Sequence, residues 1–194
     1  MTTPTLDRRQ VLKALFPKPA DYLFVSGLAG ASKDAAGLTD DGDNLYTMAG
    51  TMGAAVPMGL GVALAAPDAE VAVITGDGEL LMMVGALATV ASMAPGNLSI
   101  VCLDNARHGE TGNQPGHTGV RTDLAKMGAG AGLPSTLTIA SAEELAKGAR
   151  FLKEAKGPRL LVVRVTDGPA TAYVRNMDPA ACRLRFRNAY LGTR

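Results

Sequence analysis

The chain has 194 residues, a formal net charge of +1, a hydrophobic content of 47% and a charged content of 19%. A near-neutral charge gives no electrostatic basis for binding nucleic acid or a membrane surface. An aromatic content of 4% with no Trp argues against base-stacking platforms. The length and apolar content suit one domain over residues 1–194, and the low charged fraction favours burial of additional surface against a partner.

The N-terminal segment and the cysteines bear on the cellular compartment. Residues 1–16 are charged and amphipathic, and no apolar run of about 18 residues occurs, so we expect a cytoplasmic protein without a membrane span. Neither Cys102 nor Cys182 has the spacing of a metal site or a disulfide framework. Because Cys102 lies in an apolar run typical of a strand, we expect it to be a reduced thiol in the core.

Strand-like and helix-like patterns alternate along the chain. Strands are predicted at residues 21–27, 45–50, 70–75, 98–105, 136–140 and 158–166. Helices are predicted at residues 6–16, 53–66, 80–93 and 122–132, and from a capping box of Ser141 and Glu144 to about residue 154. Composition assigns residues 27–44 to a loop and residues 167–194 to a polar tail. The alternation predicts a doubly wound α/β fold, with a mostly parallel sheet and helices on both faces.

An aspartate between two glycines ends the predicted strand at 70–75. Gly76-Asp77-Gly78 stands between a strand and a helix, which in a doubly wound sheet is the carboxyl edge where ligands bind. The next strand returns to the same edge and ends in Asp104-Asn105, with 26 residues between Gly78 and Asn105. A carboxylate and an amide oxygen at neighbouring strand ends suit Mg²⁺ beside a phosphate, with the helix N-terminus favouring the anion.

This spacing resembles the cofactor motif of the thiamine-diphosphate (ThDP) dependent decarboxylases and synthases. Upstream, residues 49–67 (AGTMGAAVPMGLGVALAAP) resemble the segment of that family that grips the aminopyrimidine ring. The resemblance covers about residues 6–192 and is strongest over residues 45–119. It implies that the chain is a ThDP diphosphate-binding domain with ThDP and Mg²⁺ as cofactors.

The resemblance also implies roles for individual residues. Asp77, Asn105 and the backbone oxygen of Arg107 would bind Mg²⁺. The Gly50 carbonyl would accept the 4′-amino group, and Met52 would lie under the cofactor and impose its bent shape. The other residues expected at the cofactor, on its diphosphate side, are Gly76, Gly78, Glu79, Leu80, His108 and Gly109. The chain departs from the family where Asp104 replaces a frequent Asn and Glu79 a frequent Ser.

Other interpretations of the same letters are weaker. Gly-Asp-Gly alone is most often an ordinary turn. Haloacid-dehalogenase phosphatases continue the motif with Asn-Asp, whereas Glu79 and Leu80 follow here. A dinucleotide-binding fingerprint fails because Gly59 and Gly61 lie within a predicted helix and Leu64 stands where its third glycine would be.

The family resemblance implies a partner. Family members carry a second, pyrimidine-binding domain whose glutamate activates the cofactor, and the resemblance here covers only the diphosphate-binding domain. Glu79 and Glu110 belong to the phosphate edge, so neither is expected to reach the pyrimidine. We therefore expect a separate pyrimidine-domain (alpha) subunit in a hetero-oligomer. A regulatory ThDP-binding subunit without turnover is the non-enzymatic alternative.

The loop that follows Asn105 indicates the substrate class. Residues 106–119 (ARHGETGNQPGHTG) resemble the corresponding loop of decarboxylases that act on anionic 2-oxoacids with a sulfonate or phosphonate group. A carboligating, acetolactate-synthase-like subunit is an alternative. The candidate catalytic residues are His108, His117 and Glu110, and the candidate substrate residues are Gln114, Thr118, Ser26 and Ser32. The arginines of residues 183–187 are interpreted as a solvated or interface face.

Overall fold

A six-stranded parallel sheet organises the chain. The structure is a computed structural model that describes residues 4–48 and 50–192. Its strands are β1 (Tyr22–Ser26), β2 (Leu45–Thr47), β3 (Glu70–Gly76), β4 (Leu98–Asp104), β5 (Arg107–His108), β6 (Gln114–Pro115), β7 (Ser135–Ile139) and β8 (Arg159–Arg164). The strand order in the sheet is β2-β1-β3-β4-β8-β7. Its α-helices are α1 (Arg8–Leu15), α2 (Ala29–Thr39), α3 (Ala55–Ala65), α4 (Asp77–Met82), α5 (Ala86–Met93), α6 (Leu124–Gly130), α7 (Leu145–Glu154) and α8 (Pro179–Leu191).

Both faces of the sheet are covered by helices, as the sequence predicts. Successive side chains of a strand point to opposite faces. In β3, Ala72 and Ile74 join a core cluster with α1, α2 and α7, whereas Val71 and Val73 join a second cluster with α3, α5 and α6. Cys102 is buried within β4, where the apolar pattern predicted it. The two clusters confirm the doubly wound α/β fold.

The strand order creates a crevice at the carboxyl edge. From β1 the chain goes to β2 on one side, and β3 then pairs with the other side of β1. Loops that leave β1 and β3 therefore diverge to opposite faces, which is the point where open α/β sheets bind ligands. β4 continues the sheet beside β3, with Gly76 opposite Leu103, so that Asp77 and Asp104 follow at neighbouring strand ends.

Two segments predicted to lack regular structure are helical. The prediction of a loop over residues 27–44 is wrong, because α2 occupies most of it and buries Ala31, Ala35 and Ala36 against the sheet. Its Gly and Asp content hid the helix, since its stabilising contacts come from other elements. The polar tail contains α8, whose N-cap Asp178 accepts from Ala180 N and Ala181 N at 2.9 and 3.2 Å. That cap, followed by Pro179, is a start signal readable in the sequence.

Other boundaries also differ from the predictions. The helix expected at 80–93 is two helices, because Met83 leaves helical geometry and separates α4 from α5. The first of them also begins earlier than predicted, at Asp77. The capping box is wrong: Ser141 makes no cap hydrogen bond, and a 3₁₀ turn at Ala142–Glu144 precedes α7. Glu144 instead accepts from Ala140 N at 2.8 Å. The predicted strand at 45–50 ends at Thr47, and Ala49 lies outside the described residues.

No helix within residues 4–48 and 50–192 is long and apolar enough to cross a membrane.

A buried carboxylate holds together the loops at the crevice. Glu79, on α4, accepts hydrogen bonds from Leu28 N at 3.1 Å, Thr75 Oγ1 at 3.0 Å and Gly53 N at 3.3 Å. A side chain at Gly27 would place its Cβ 1.7 Å from Glu79 Oε2. The carboxylate therefore fixes the loop after β1 and the loop before α3 to the start of α4.

We predict that Glu79→Gln lowers the free energy of unfolding by about 1–3 kcal/mol, because an amide cannot accept from all three donors and leaves one of them unpaired. Urea denaturation of the purified chain measures this. The matched control is Glu110→Gln at an exposed position, expected to change stability by less than about 0.5 kcal/mol. Equal midpoints for both variants would contradict the role of Glu79.

Candidate functional site

A cavity of about 1130 Å³ opens at the carboxyl edge of the sheet. Its wall combines residues from the loops after β1, β2, β3 and β4 with the segment that follows β8. The sequence-predicted residues that line it are Gly50, Met52, Gly76, Asp77, Gly78, Glu79, Asn105, Arg107, His108, Gly109 and Glu110. The fold thus brings most of the predicted cofactor residues, distant in sequence, to one cavity.

Asp77 and Asp104 are two buried carboxylates linked by one hydroxyl. Thr118 Oγ1 lies 2.7 Å from Asp104 Oδ1 and 3.1 Å from Asp77 Oδ2. A hydroxyl has one proton to donate, so it can satisfy only one carboxylate at a time. Asp104 has further compensation from Ala106 N at 2.9 Å and Arg164 Nε at 3.2 Å. Asp77 is therefore the less compensated of the two.

The electrostatics of Asp77 reflect that imbalance. Burial, followed by the negative charge of Asp104, raises the pKa of Asp77 to about 6, and the hydrogen bond to Thr118 opposes the shift. Asp77 is only 3% exposed, and it lines the cavity. A cation bound at the cavity would stabilise its ionised form.

The oxygen atoms around Asp77 suit a hard divalent cation. Asn105 lines the same cavity, and its Oδ1 accepts from Arg107 N at 3.3 Å, which leaves acceptor capacity on the amide oxygen. Pro115 is paired with Arg107 in the small hairpin and has no N–H to donate to the Arg107 carbonyl. Within the described ranges, no group of three His, Cys, Asp or Glu side chains could hold a metal. Asp77, Asn105 and the Arg107 carbonyl could hold Mg²⁺ together with phosphate and water oxygens.

The hairpin of β5 and β6 folds over this edge. Gly116 donates from its N to Ala106 O at 2.7 Å, and a Cβ at Gly116 would lie 3.1 Å from Asp77 Oδ2. The hairpin backbone therefore packs directly against the carboxylate. The rings of His108 and His117 pack edge to face, with their centroids 6.2 Å apart. Of the two, His108 lines the cavity, next to Gly78.

Met52 lies beside Gly78 on the cavity wall. It is 44% exposed, and its Cε lies 4.0 Å from the Cβ position of Gly78. Gly50 has a φ of +80°, a left-handed conformation that favours glycine. Both residues lie on the cavity wall, so the segment 50–53 supplies an apolar side chain next to Gly78.

Several predicted residues lie away from the cavity wall. Ser26 and Ser32 are fully buried: Ser26 Oγ contacts Thr47 Oγ1 at 3.4 Å, and Ser32 Oγ donates to Ala29 O at 3.0 Å. The Leu80 side chain belongs to the core. Thr118 is buried between the two aspartates, so its hydroxyl has a structural use that its loop position did not reveal. His117 and Gln114 are exposed on the hairpin side, outside the wall.

The cavity also contains residues that sequence reasoning missed. They are Arg8, Lys33, the start of α2 from Leu28 to Ala31, Thr111, and parts of residues 167–177. We call residues 167–177 the strap, because they run along α2. Thr171 N donates to Asp34 at 2.8 Å, Tyr173 OH to Asp40 at 2.7 Å, and Asn176 N to Asp41 at 3.0 Å.

The sequence feature that could have indicated the strap is the group of aspartates in residues 34–43. Three of them accept hydrogen bonds from the strap, more than 130 residues away in the chain. Arg185 of α8 also pairs with Asp41 at 3.2 Å, so part of the basic run is used within the chain. Arg183 and Arg187 remain exposed, as the interpretation of a solvated or interface face requires.

Comparison with known proteins agrees with this geometry. Residues 36–163 match the family model for the thiamine pyrophosphate enzyme, C-terminal TPP binding domain, thiamine pyrophosphate being the same compound as ThDP. The chain is 37% identical over 169 residues to sulfopyruvate decarboxylase subunit beta of Methanocaldococcus jannaschii, covering 86% of this chain and 87% of that one. It is 36% identical over 170 residues to phosphonopyruvate decarboxylase of Streptomyces viridochromogenes, covering 87% of this chain but 42% of that protein.

Solved structures share the fold. The thiamine diphosphate-dependent 4-hydroxybenzoylformate decarboxylase of Rhodococcus jostii RHA1 superposes with a TM-score of 0.67 at 23% identity, over 86% of this chain and 34% of the other. The chain thus spans about a third of that structure, which supports the fold alone. With the family match over most of its residues, the chain belongs to the thiamine pyrophosphate enzymes and carries their C-terminal TPP-binding domain.

Proposed function

We propose that the chain is the diphosphate-binding subunit of a ThDP- and Mg²⁺-dependent 2-oxoacid decarboxylase that converts sulfopyruvate to sulfoacetaldehyde and CO₂. The observation that carries the proposal is the convergence of Asp77, Gly78, Asn105 and Met52 on one cavity. It occurs in a chain that aligns with most of a sulfopyruvate decarboxylase beta subunit. Phosphonopyruvate decarboxylase is the second candidate, because a protein of that name is almost equally similar over the aligned residues.

The metal end of the site has its own chemistry in this proposal. Asp77, Asn105 and the Arg107 carbonyl hold Mg²⁺, whose charge relieves the repulsion between Asp77 and Asp104. The backbone N–H groups of Gly78 and Glu79 face the diphosphate, and Glu79 fixes the loops on either side through its carboxylate. These residues position the cofactor without taking part in bond breaking.

The remaining cavity residues orient the cofactor and supply the proton that replaces the carboxyl group. Bound ThDP supplies the electron sink that accepts the electron pair released as CO₂ leaves. The Gly50 carbonyl and Met52 hold the pyrimidine side in position. His108, on the cavity wall, is placed to hold the proton required when the carboxyl group is replaced by hydrogen. His117 and Glu110 remain candidates for the same proton transfer, His117 through its contact with the His108 ring.

The partner is a separate pyrimidine-domain alpha subunit in this proposal. Support comes from the beta-subunit name of a relative that this chain matches over 87% of its length. The phosphonopyruvate decarboxylase is more than twice as long as the region matched, so related enzymes carry further sequence beyond this domain. The pyrimidine-activating glutamate is expected on that partner.

We predict that Asp77→Asn in the complex lowers Mg²⁺-dependent ThDP affinity and turnover more than about 100-fold. Removing a residue that supports a metal ligand lowers metal affinity or activity by about 10–100-fold, and removing the ligand itself should lower them at least as much. Calorimetric titration of ThDP in the presence of Mg²⁺ measures the affinity. Asp68→Asn, an exposed carboxylate change, is the control and should have no effect. Unchanged affinity in Asp77→Asn would remove the metal assignment.

We predict that the purified chain alone has no more than trace decarboxylase activity and that activity appears on mixing with the separately purified alpha subunit. The physical reason is that the described residues supply the phosphate side of the cofactor, whereas activation of the pyrimidine requires the partner's carboxylate. Aldehyde release measured with and without the partner tests this. Full activity of the chain alone would overturn the shared-site proposal.

We predict that the complex uses sulfopyruvate with kcat/KM at least about tenfold above phosphonopyruvate and pyruvate, since recognition of a matching charged group contributes about that factor or more. An aldehyde-release screen over the three 2-oxoacids measures it. Preference for phosphonopyruvate would select the second candidate. Acetolactate formation from pyruvate would indicate a carboligase, and no turnover of any substrate by a ThDP-loaded complex would favour a regulatory subunit.

A further inference from the structure

Arg8 is a buried cation beside the cavity. It is 8% exposed, although it is the first residue of α1, and it lines the cavity wall. Its Nε donates to Asp34 Oδ2 at 2.8 Å, and the other oxygen of Asp34 accepts from Thr171 N at 2.8 Å. Asp34 therefore fixes the guanidinium by one nitrogen, while the strap fixes Asp34.

The rest of the Arg8 guanidinium has no acceptor in the described chain. Nε accounts for one of the five N–H donors of a guanidinium, and Nη1 and Nη2 make no hydrogen bond to a described residue. They lie against the first turn of α2, where a Cβ at Gly30 would be 2.4 Å from Nη2 and 2.8 Å from Nη1. A buried cation with unused donors is costly unless an acceptor arrives. Glycine at position 30 admits the charged group to the helix N-terminus.

Three further cations line the same cavity, and one of them, Arg107, is paired with Asp167 at 3.8 Å. Lys33 is on α2, close to one turn beyond Gly30, and Arg175 is in the strap. The Nε of Arg175 is buried and has no hydrogen-bond partner among the described residues. The start of α2, a helix of 11 residues, adds backbone N–H groups and the positive end of the helix dipole.

The neighbouring carboxylates do not supply the missing acceptors. Glu79 is engaged by three donors of the chain, and Asp77 faces the proposed metal position. Asp167 accepts from Asn113 Nδ2 at 2.8 Å, and Asp34 is used as described. Neither the Nη atoms of Arg8 nor Arg175 Nε is hydrogen-bonded to Glu79, Asp77, Asp167 or the exposed Glu110, which also line this cavity.

We propose that Arg8, Lys33 and Arg175, with the N-terminus of α2, form a binding subsite for a phosphate or sulfonate group. We call these three side chains the basic subsite. The inference rests on the proposed function, which provides two sources for such a group: the cofactor diphosphate and the sulfonate of the substrate. Tetrahedral oxyanions match the subsite because they accept several charge-assisted hydrogen bonds at once.

The test is calorimetric titration of the purified full chain at fixed ionic strength with two probes, inorganic pyrophosphate with Mg²⁺, and methanesulfonate. The variants are Arg8→Gln, Lys33→Gln and Arg175→Gln. Arg8→Gln leaves the buried Asp34 without its cation and could unfold the chain. Lys33→Gln and Arg175→Gln change only half-buried residues, so they test the subsite even in that case. Arg9→Gln is the matched control: Arg9 is adjacent, exposed and paired with Asp7.

The wild-type chain should bind at least one probe, and each basic-subsite variant that folds should weaken that binding, Arg8→Gln by about tenfold or more. Arg9→Gln should bind as the wild type does. If the anion is the cofactor phosphate, pyrophosphate is the affected probe, and Asp77→Asn weakens its binding as well. If it is the substrate sulfonate, methanesulfonate binds to chain already saturated with ThDP and Mg²⁺, and Asp77→Asn leaves that binding unchanged.

Three results would overturn the subsite. They are no binding of either probe by the wild type, binding by all three variants that equals that of the wild type, and a loss of affinity in Arg9→Gln as large as in the three variants. Failure of the proposed function gives a different pattern. A chain that does not bind ThDP with Mg²⁺ but binds pyrophosphate in a manner dependent on Arg8 would retain the subsite and lose the cofactor assignment.

Discussion

Two negative charges at neighbouring strand ends are the constraint on which this site depends. Parallel pairing of β3 with β4 places Asp77 and Asp104 at the same edge, both buried. Thr118 can donate to only one of them, and Arg164 compensates Asp104. The remaining charge on Asp77 faces the cavity, where a bound divalent cation would remove the repulsion. The 3₁₀ turn that carries Thr118, just after the hairpin, must lie over the edge for this arrangement to exist.

Other carboxylates of the same edge have a different use. Glu79 and Asp34 are filled by donors of the chain itself, and they hold loops and a cation in place. Their oxygens therefore have a structural role, whereas Asp77 keeps acceptor capacity for a bound cation. Glu79 supports the phosphate side of the cavity and Asp34 orients Arg8 toward it. Carboxylate side chains thus supply both the scaffold of the site and the proposed metal ligand.

Local patterns predicted the regular parts of the fold. The continuous apolar runs of β3 and β4 and the Gly-Asp-Gly turn fixed the positions of Asp77 and Asn105 at the carboxyl edge. Local patterns failed where stability came from distant partners. The small residues of α2 form a helix because β1, β3 and the strap cover them, and α8 was missed although Asp178 and Pro179 mark its start. Likewise, no feature of residues 106–119 distinguished buried Thr118 from exposed Gln114.

By itself, the sequence determined the fold class, the family and the position of the Gly-Asp-Gly turn at the carboxyl edge of the sheet, because strand periodicity and a fixed motif spacing are local properties. Only the tertiary structure decided which side chains share the cavity with that motif. Arg8 and Thr171 meet through Asp34, and Thr118 joins two strand ends, although these contacts connect residues far apart in the chain. Such contacts depend on how helices and loops pack over the sheet, and no local pattern of residues specifies that packing.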